Sequence, residues 1–265
     1  MKKILFFLFV SLLSGKNIFS QSKTNQMNAI VLVHGAWLDY TSWDKVVPIL
    51  KAAGHEVIIV KLPGHGSDKT PYGQITLQSY VDAVKKAIGT RKDVTLAGHS
   101  MGGIVISEVA EQIPDQIRNL VYVNAYLPRN GETLLQLGNS DKGSHIPKYL
   151  RPDEKSGSAA IATEGVQEIF AADASPADVA KLIAGNKPDA LAPLATPVVL
   201  TDANFGRIPK SYVYTQFDNA ISLSLQQMMV ENNGTVKRTY EIPASHTAFI
   251  SMPGVLAATL IQEAN

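Results

Sequence analysis

Short apolar runs alternate with amphipathic stretches along most of this chain. Residues 28–33 contain Ala29-Ile30-Val31-Leu32-Val33, apolar at every position. β-branched, largely apolar character returns at 56–62, 93–97, 118–123 and 211–215, and a further strand is predicted over 235–242. Between these runs the period changes to that of a helix. Trp43, Val46, Val47 and Leu50 share one face of 42–53, and Gly54 stops that helix. Thr76 caps a helix over 76–88, which Gly89 ends. Further helices are predicted from 103 to 110, over 221–232 and over 253–264. Strands apolar on both faces, each followed by a helix, predict a mostly parallel, doubly wound α/β sheet covered on both sides.

The alternation stops at Leu127-Pro128. From about 128 to 195 there is no convincing strand. Gly, Ser and Pro clusters separate short helical pieces at 165–172 and 176–184. The second piece starts with Ser175 as an N-cap and Pro176 at the first helical position. A small helical cap, inserted between core strands, is therefore expected.

One junction carries chemistry. Gly98-His99-Ser100-Met101-Gly102 fits G-x-S-x-G, directly after the run at 93–97 and directly before a helix. A serine on so tight a strand-to-helix turn has its Oγ pushed out of the sheet. The Met101 N–H then stands at a helix N-terminus, where it can meet a developing oxyanion. Serine also needs a base, and the base needs a third group to hold its tautomer. Of six histidines, only His145 and His246 follow Ser100. His145 lies in the insertion with no strand to position it. His246 follows the last strand, at the carboxyl edge where such sheets bind ligands, and is expected to be the base. Asp218, just after the strand at 211–215, is the expected acid; Asp202 is second choice because no strong strand leads into it. Asn124 ends an earlier strand but cannot serve as an anion. The second oxyanion donor is expected from the loop after the first strand, at the Ala36 N–H. His34, His65 and His99 are expected to be structural.

Composition narrows the possibilities. The chain has 265 residues, 45% of them hydrophobic, which suits one domain. Net charge is +1, giving no case for nucleic acid as a partner. No cysteine is present, so disulfides, thiol nucleophiles, thiolate metal sites and a lipid-bearing cysteine are excluded. No His/Asp/Glu cluster has metal spacing and no glycine loop would cradle phosphate, so neither a metal nor a cofactor is expected. Lys2 and Lys3 precede an apolar run, Ile4 to Leu13, too short to span a bilayer. Residues 1–22 are expected to be a secretory signal peptide, cleaved after Ser20 or Ser22, with the domain over 27–265. Removing Lys2, Lys3 and Lys16 leaves 21 of the 24 basic residues against 23 acidic ones. A periplasmic or secreted protein with no stable membrane span after cleavage is the expectation.

These motifs resemble the α/β-hydrolase superfamily over roughly 28–264. Within it the chain is similar to the branch of plant methylesterases, related bacterial esterases and hydroxynitrile lyases. The pieces that carry the resemblance are Leu32-Val33-His34-Gly35-Ala36-Trp37, Gly98-His99-Ser100-Met101-Gly102-Gly103, Leu120-Val121-Tyr122-Val123, Thr215-Gln216-Phe217-Asp218 and Ser245-His246. The resemblance implies a triad of Ser100, Asp218 and His246, and a cap after the sixth core strand in the family's numbering. Two departures are informative. Gly35 and Thr247 stand where the lyases of this branch carry threonine and lysine, which favours ester hydrolysis. The expected activity is a serine esterase working through an acyl-enzyme on a small to medium hydrophobic ester. The rivals are lyase-type C–C cleavage and a ligand-binding, hydrolase-like receptor. Leu134, Leu135, Ile161, Ile169, Phe170, Leu182 and Ile183 are candidates either to line a pocket or to seat the cap.

Overall fold

The computed structural model describes residues 28–265. The expected signal peptide lies outside the described residues. Four strands come first: β1 (Ile30–Val33), β2 (Val57–Ile59), β3 (Val94–His99) and β4 (Ile117–Val123). The inserted segment adds β5 (Leu150–Asp153), β6 (Ser158–Ile161) and β7 (Asp189–Ala190). The core resumes with β8 (Lys210–Thr215) and β9 (Val236–Ile242). The main sheet runs β2-β1-β3-β4-β8-β9, every neighbouring pair parallel.

Alternation along the strands feeds two separate cores. Val31, Val33, Leu96, Leu120 and Tyr122 point to one face. That face is covered by the helices Leu77–Ile88 (α2) and Gly102–Gln112 (α3). Ile30, Leu32, Ala97, Val121 and Val123 point the other way. That face is covered by α1 (Val47–Ala52) and by the C-terminal helix Pro253–Ala264. Such two-sided burial is why the central strand β1 is apolar throughout, whereas the edge strand β9 carries exposed Lys237, Arg238 and Glu241.

The helix expected over 42–53 is split. A 3₁₀ turn, Tyr40–Trp43, precedes α1, and Pro48 sits in the first turn of α1. Proline lacks an N–H and collides with the carbonyl four residues back, so the helix must begin just before it.

The cap departs from the sequence more clearly. It holds helices α4 (Leu134–Ser140), α5 (Ile146–Tyr149), α6 (Val166–Phe170), α7 (Pro176–Gly185) and α8 (Leu191–Ala195). It also holds a three-stranded antiparallel sheet, β5-β6-β7, where no strand was expected. β5 is mostly exposed and contains Pro152, and β7 has two residues, so neither offers an apolar alternation to detect. The cap leaves the main sheet after β4, the fourth of the described strands in chain order. After the cap, α9 (Leu223–Asn233), α10 (Ala248–Ser251) and α11 (Pro253–Ala264) complete the chain. Among the described residues no helix is long and apolar enough to cross a membrane.

Candidate active site

Five loops meet at the carboxyl edge of the sheet. Ser100 follows β3 with φ of 54°, a left-handed conformation that a non-glycine residue holds only under constraint. The constraint is backbone packing around the turn. Gly103 N–H donates to Ser100 O at 3.0 Å and Tyr126 N–H to the same carbonyl at 3.1 Å. Gly103 is required for this approach, because a Cβ there would lie 2.2 Å from Tyr126 O. On the other side, a Cβ on Gly35 would lie 2.7 Å from Ser100 Cβ, so the β1 loop closes directly on the serine.

Two backbone donors stand unused beside Ser100. Met101 caps α3, and its N–H has no hydrogen-bond partner among the described residues; the same is true of the Ala36 N–H. Unpaired amides are rare in buried backbone, and both of these belong to residues lining the Ser100 cavity.

Asp218 and His246 are brought together. His246 Nδ1 lies 2.8 Å from Asp218 Oδ2 and 3.0 Å from Oδ1, with both residues buried. Since the carboxylate only accepts, Nδ1 carries the proton. The ring bonds of His246 run from Nδ1 to Asp218, and among the described residues Nε2 has no hydrogen-bond partner. Asp218 is itself fixed by donation from Ala220 N–H and Ile221 N–H to Oδ1 and from Thr215 Oγ1 to Oδ2.

Asn124 was set aside in the sequence because it cannot be an anion, yet it is central. It leaves β4 with φ of 33°. Its Nδ2 donates to Asp218 Oδ2 at 2.8 Å and to the His246 carbonyl at 2.9 Å. His99 supports the same carbonyl, donating from Nε2 at 3.0 Å. Burial and the neighbouring His246 hold the His99 pKa well below the ordinary imidazole range. It is therefore a neutral prop beneath the His246 ring, 4.5 Å away between centroids. The cap braces the same loop: Thr247 N–H and Oγ1 both donate to Phe170 O, and the Phe170 ring lies 5.6 Å from that of His246.

The remaining candidates fall elsewhere. Asp202 is exposed in the turn Asp202–Gly206. His145 is exposed and paired with Glu168 at 2.9 Å. His34 donates from Nδ1 to Gly35 O and buttresses the β1 loop; burial, followed by the nearby His65, lowers its pKa to about 3. Of the cap residues, Leu134 and Leu135 line the serine cavity, whose volume is about 120 Å³. Ile161, Ile169 and Phe170 seat the cap on the core. Leu182 lines a different groove and Ile183 is exposed. Tyr126, Ile146 and Leu150 complete an apolar lining that the sequence did not single out. Among the described residues no three His, Asp or Glu side chains gather in a metal-holding cluster.

Comparison with known proteins agrees with this architecture. The chain is 29% identical to the putative chloroplastic methylesterase 11 of Arabidopsis thaliana, over 89% of this chain and 64% of that protein. The chain thus spans less than two thirds of that relative's length. It is 29% identical to the carbendazim hydrolyzing esterase of a Nocardioides species, over 88% of this chain and 98% of that one. An extracellular alpha/beta-hydrolase from a Paenibacillus species superposes with a TM-score of 0.78 at 26% identity, covering 90% of this chain and 99% of its own. The family model for alpha/beta hydrolases matches residues 30–259. The chain belongs to the alpha/beta hydrolase family.

Proposed function

We propose that this protein is a serine esterase acting on small to medium hydrophobic carboxylic esters. Two observations carry this reading: the buried 2.8 Å bond between His246 Nδ1 and Asp218, and Ser100 on a left-handed turn at the end of β3. Ser100 Oγ attacks the ester carbonyl while His246 Nε2 takes its proton. Asp218 keeps the imidazole in the tautomer with Nε2 open and stabilises the cation that forms. The N–H groups of Ala36 and Met101 hold the oxyanion; losing one such donor typically costs about 10²–10³ in rate. His246 returns the proton to the leaving alcohol, and water then frees the acyl group by the same route. The apolar lining and small volume of the cavity favour a compact hydrophobic acyl or alcohol group. The names of the relatives, methylesterase and carbendazim hydrolyzing esterase, point the same way.

Lyase chemistry has less support, because the residue after His246 is an uncharged, buried threonine, Thr247, whose hydroxyl donates to Phe170 O. The test is a panel of p-nitrophenyl esters, acetate to decanoate, with the wild type and Ser100→Ala. Short-chain turnover that disappears in Ser100→Ala is the expected result. Full activity in that variant overturns the proposal. Export is proposed as well, on the leader pattern of residues 1–22. N-terminal sequencing of the protein recovered from cells tests it, an intact Lys2-Lys3 end being the adverse result.

A further inference from the structure

The carboxylate of Asp189, on β7 of the cap, is buried 1% exposed against the core. Its Oδ2 accepts from Trp37 N–H at 2.9 Å and from His65 Nε2 at 2.8 Å. Its Oδ1 accepts from Tyr80 OH at 3.1 Å and from Ala190 N–H at 2.8 Å. The other nitrogen of His65, Nδ1, lies 2.9 Å from Pro63 O. A carboxylate and a proline carbonyl are both pure acceptors, so both ring nitrogens of His65 donate and the ring is an imidazolium. A buried carboxylate is thereby given its counter-charge.

The bond to Trp37 matters because of where Trp37 stands. It follows Ala36, and its φ is 58°, a conformation costly for so bulky a residue. Two bonds from the cap hold it there. Asp189 takes its backbone N–H, and Ala159 O on β6 accepts from its indole Nε1 at 2.9 Å. The Ala36 N–H lies in the Gly35–Ala36 peptide, and the bond from Trp37 N–H to Asp189 anchors the very next peptide, one residue from that donor.

We propose that Asp189 and protonated His65 are positioning residues that set the oxyanion loop, fixing Trp37 so that the Ala36 N–H faces Ser100. The proposal rests on the esterase role of Ser100. Because the cap supplies the carboxylate, the oxyanion site is complete only while the cap is docked. Loss of the His65 proton leaves Asp189 charged and unpaired, so the site loosens at alkaline pH. The other groups facing His65 do not replace it. Neutral His34 packs edge-on at 4.7 Å, and Tyr80 and Tyr72 are held protonated, burial being the main cause for both. Asp39 and Asp68 are further anions, and Lys187 Nζ is engaged by Gly66 O.

The experiment measures kcat and KM on p-nitrophenyl butyrate against pH for the wild type, Asp189→Ala, His65→Gln and Tyr80→Phe, with a thermal melt of each. Asp189→Ala is expected to lose about 10²-fold in kcat with KM within about threefold. Tyr80→Phe removes a bond from the other oxygen of the same carboxylate; it is expected to lower the melting temperature with kcat within about threefold of wild type. The wild type is expected to show an alkaline fall in kcat that His65→Gln, unable to titrate, lacks. A folded Asp189→Ala protein with near-normal kcat overturns the proposal. So do equal kcat losses in Asp189→Ala and Tyr80→Phe that simply follow stability. If Asp189→Ala does not fold, an alkaline limb unchanged in His65→Gln overturns it. Activity persisting in Ser100→Ala overturns the esterase reading instead, which keeps the two failures apart.

Discussion

Replacing Asn124 by alanine removes two buried bonds at once, one to the Asp218 carboxylate and one to the His246 carbonyl. A hydrogen bond to a charged group is worth about 1.5–3 kcal/mol and one between neutral groups about 1 kcal/mol. The expected loss of stability is therefore about 2–4 kcal/mol, or about 5–15 °C in Tm for a domain of this size. The two bonds do not matter equally for catalysis. Asp218 retains Thr215 Oγ1, Ala220 N–H and Ile221 N–H, so its carboxylate stays in place. The His246 backbone retains only the His99 donor at that carbonyl. The imidazole thus gains freedom relative to Ser100, and a small misplacement of a catalytic group can cost about 10²-fold. Thermal melts combined with kcat on a p-nitrophenyl ester measure both effects. A folded Asn124→Ala protein with Tm within about 2 °C and kcat within about threefold of wild type would refute this account of Asn124.

Other outcomes follow from the same geometry. Asp218→Asn should lower kcat about 10³–10⁴-fold by losing control of the His246 tautomer. Adding Asn124→Asp to it should recover at least about tenfold, since the position 124 side chain already lies 3.0 Å from His246 Nδ1; no recovery would show that this side chain cannot act as the acid. Gly103→Ala should cost about 2–4 kcal/mol in a denaturant titration, because its Cβ meets Tyr126 O at 2.2 Å and backbone must move; wild-type stability would contradict that contact. The His65–Asp189 pair should make stability depend on pH from both sides. Burial opposes the charge on each, but Asp189 raises the His65 pKa and His65 lowers that of Asp189. The His65 contribution is complete below its unfolded value of about 6.5 and fades as pH rises through the higher folded value. The Asp189 contribution is present above about 3.9 and fades as pH falls through the lower folded value. Thermal melts from pH 4 to 10 should therefore show an alkaline decline that is weaker in His65→Gln.

The parallel sheet was legible because its central strands feed two cores, and that demand is written into every residue of Ile30-Val31-Leu32-Val33. The elbow was legible because a glycine-flanked serine between a strand and a helix has one geometric meaning. His246 and Asp218 followed from their places after β9 and β8. What escaped were contacts between residues far apart in sequence. Asn124 is 94 residues from Asp218 and 122 from His246, and an asparagine at a strand end carries no mark of such partners. Asp189 is 124 residues from His65 and lies in a two-residue strand without apolar pattern. The cap was expected to shape the substrate pocket, and Leu134 and Leu135 are placed to do so. Its second contribution, polar bonds to the loops bearing Ala36 and His246, arises only once the chain has folded back on itself.

The two ends of the described chain meet. Asn28 Nδ2 donates to Ala264 O, and Arg118, at the start of β4, donates to the carbonyls of Ala264 and Asn265. That meeting point lies where the strands begin, whereas Ser100, Asp218 and His246 lie where strands end. A surface or carrier attached at residue 28 or at residue 265 therefore holds the domain by its back. Immobilised in that way, the domain turns its cavity toward the solution.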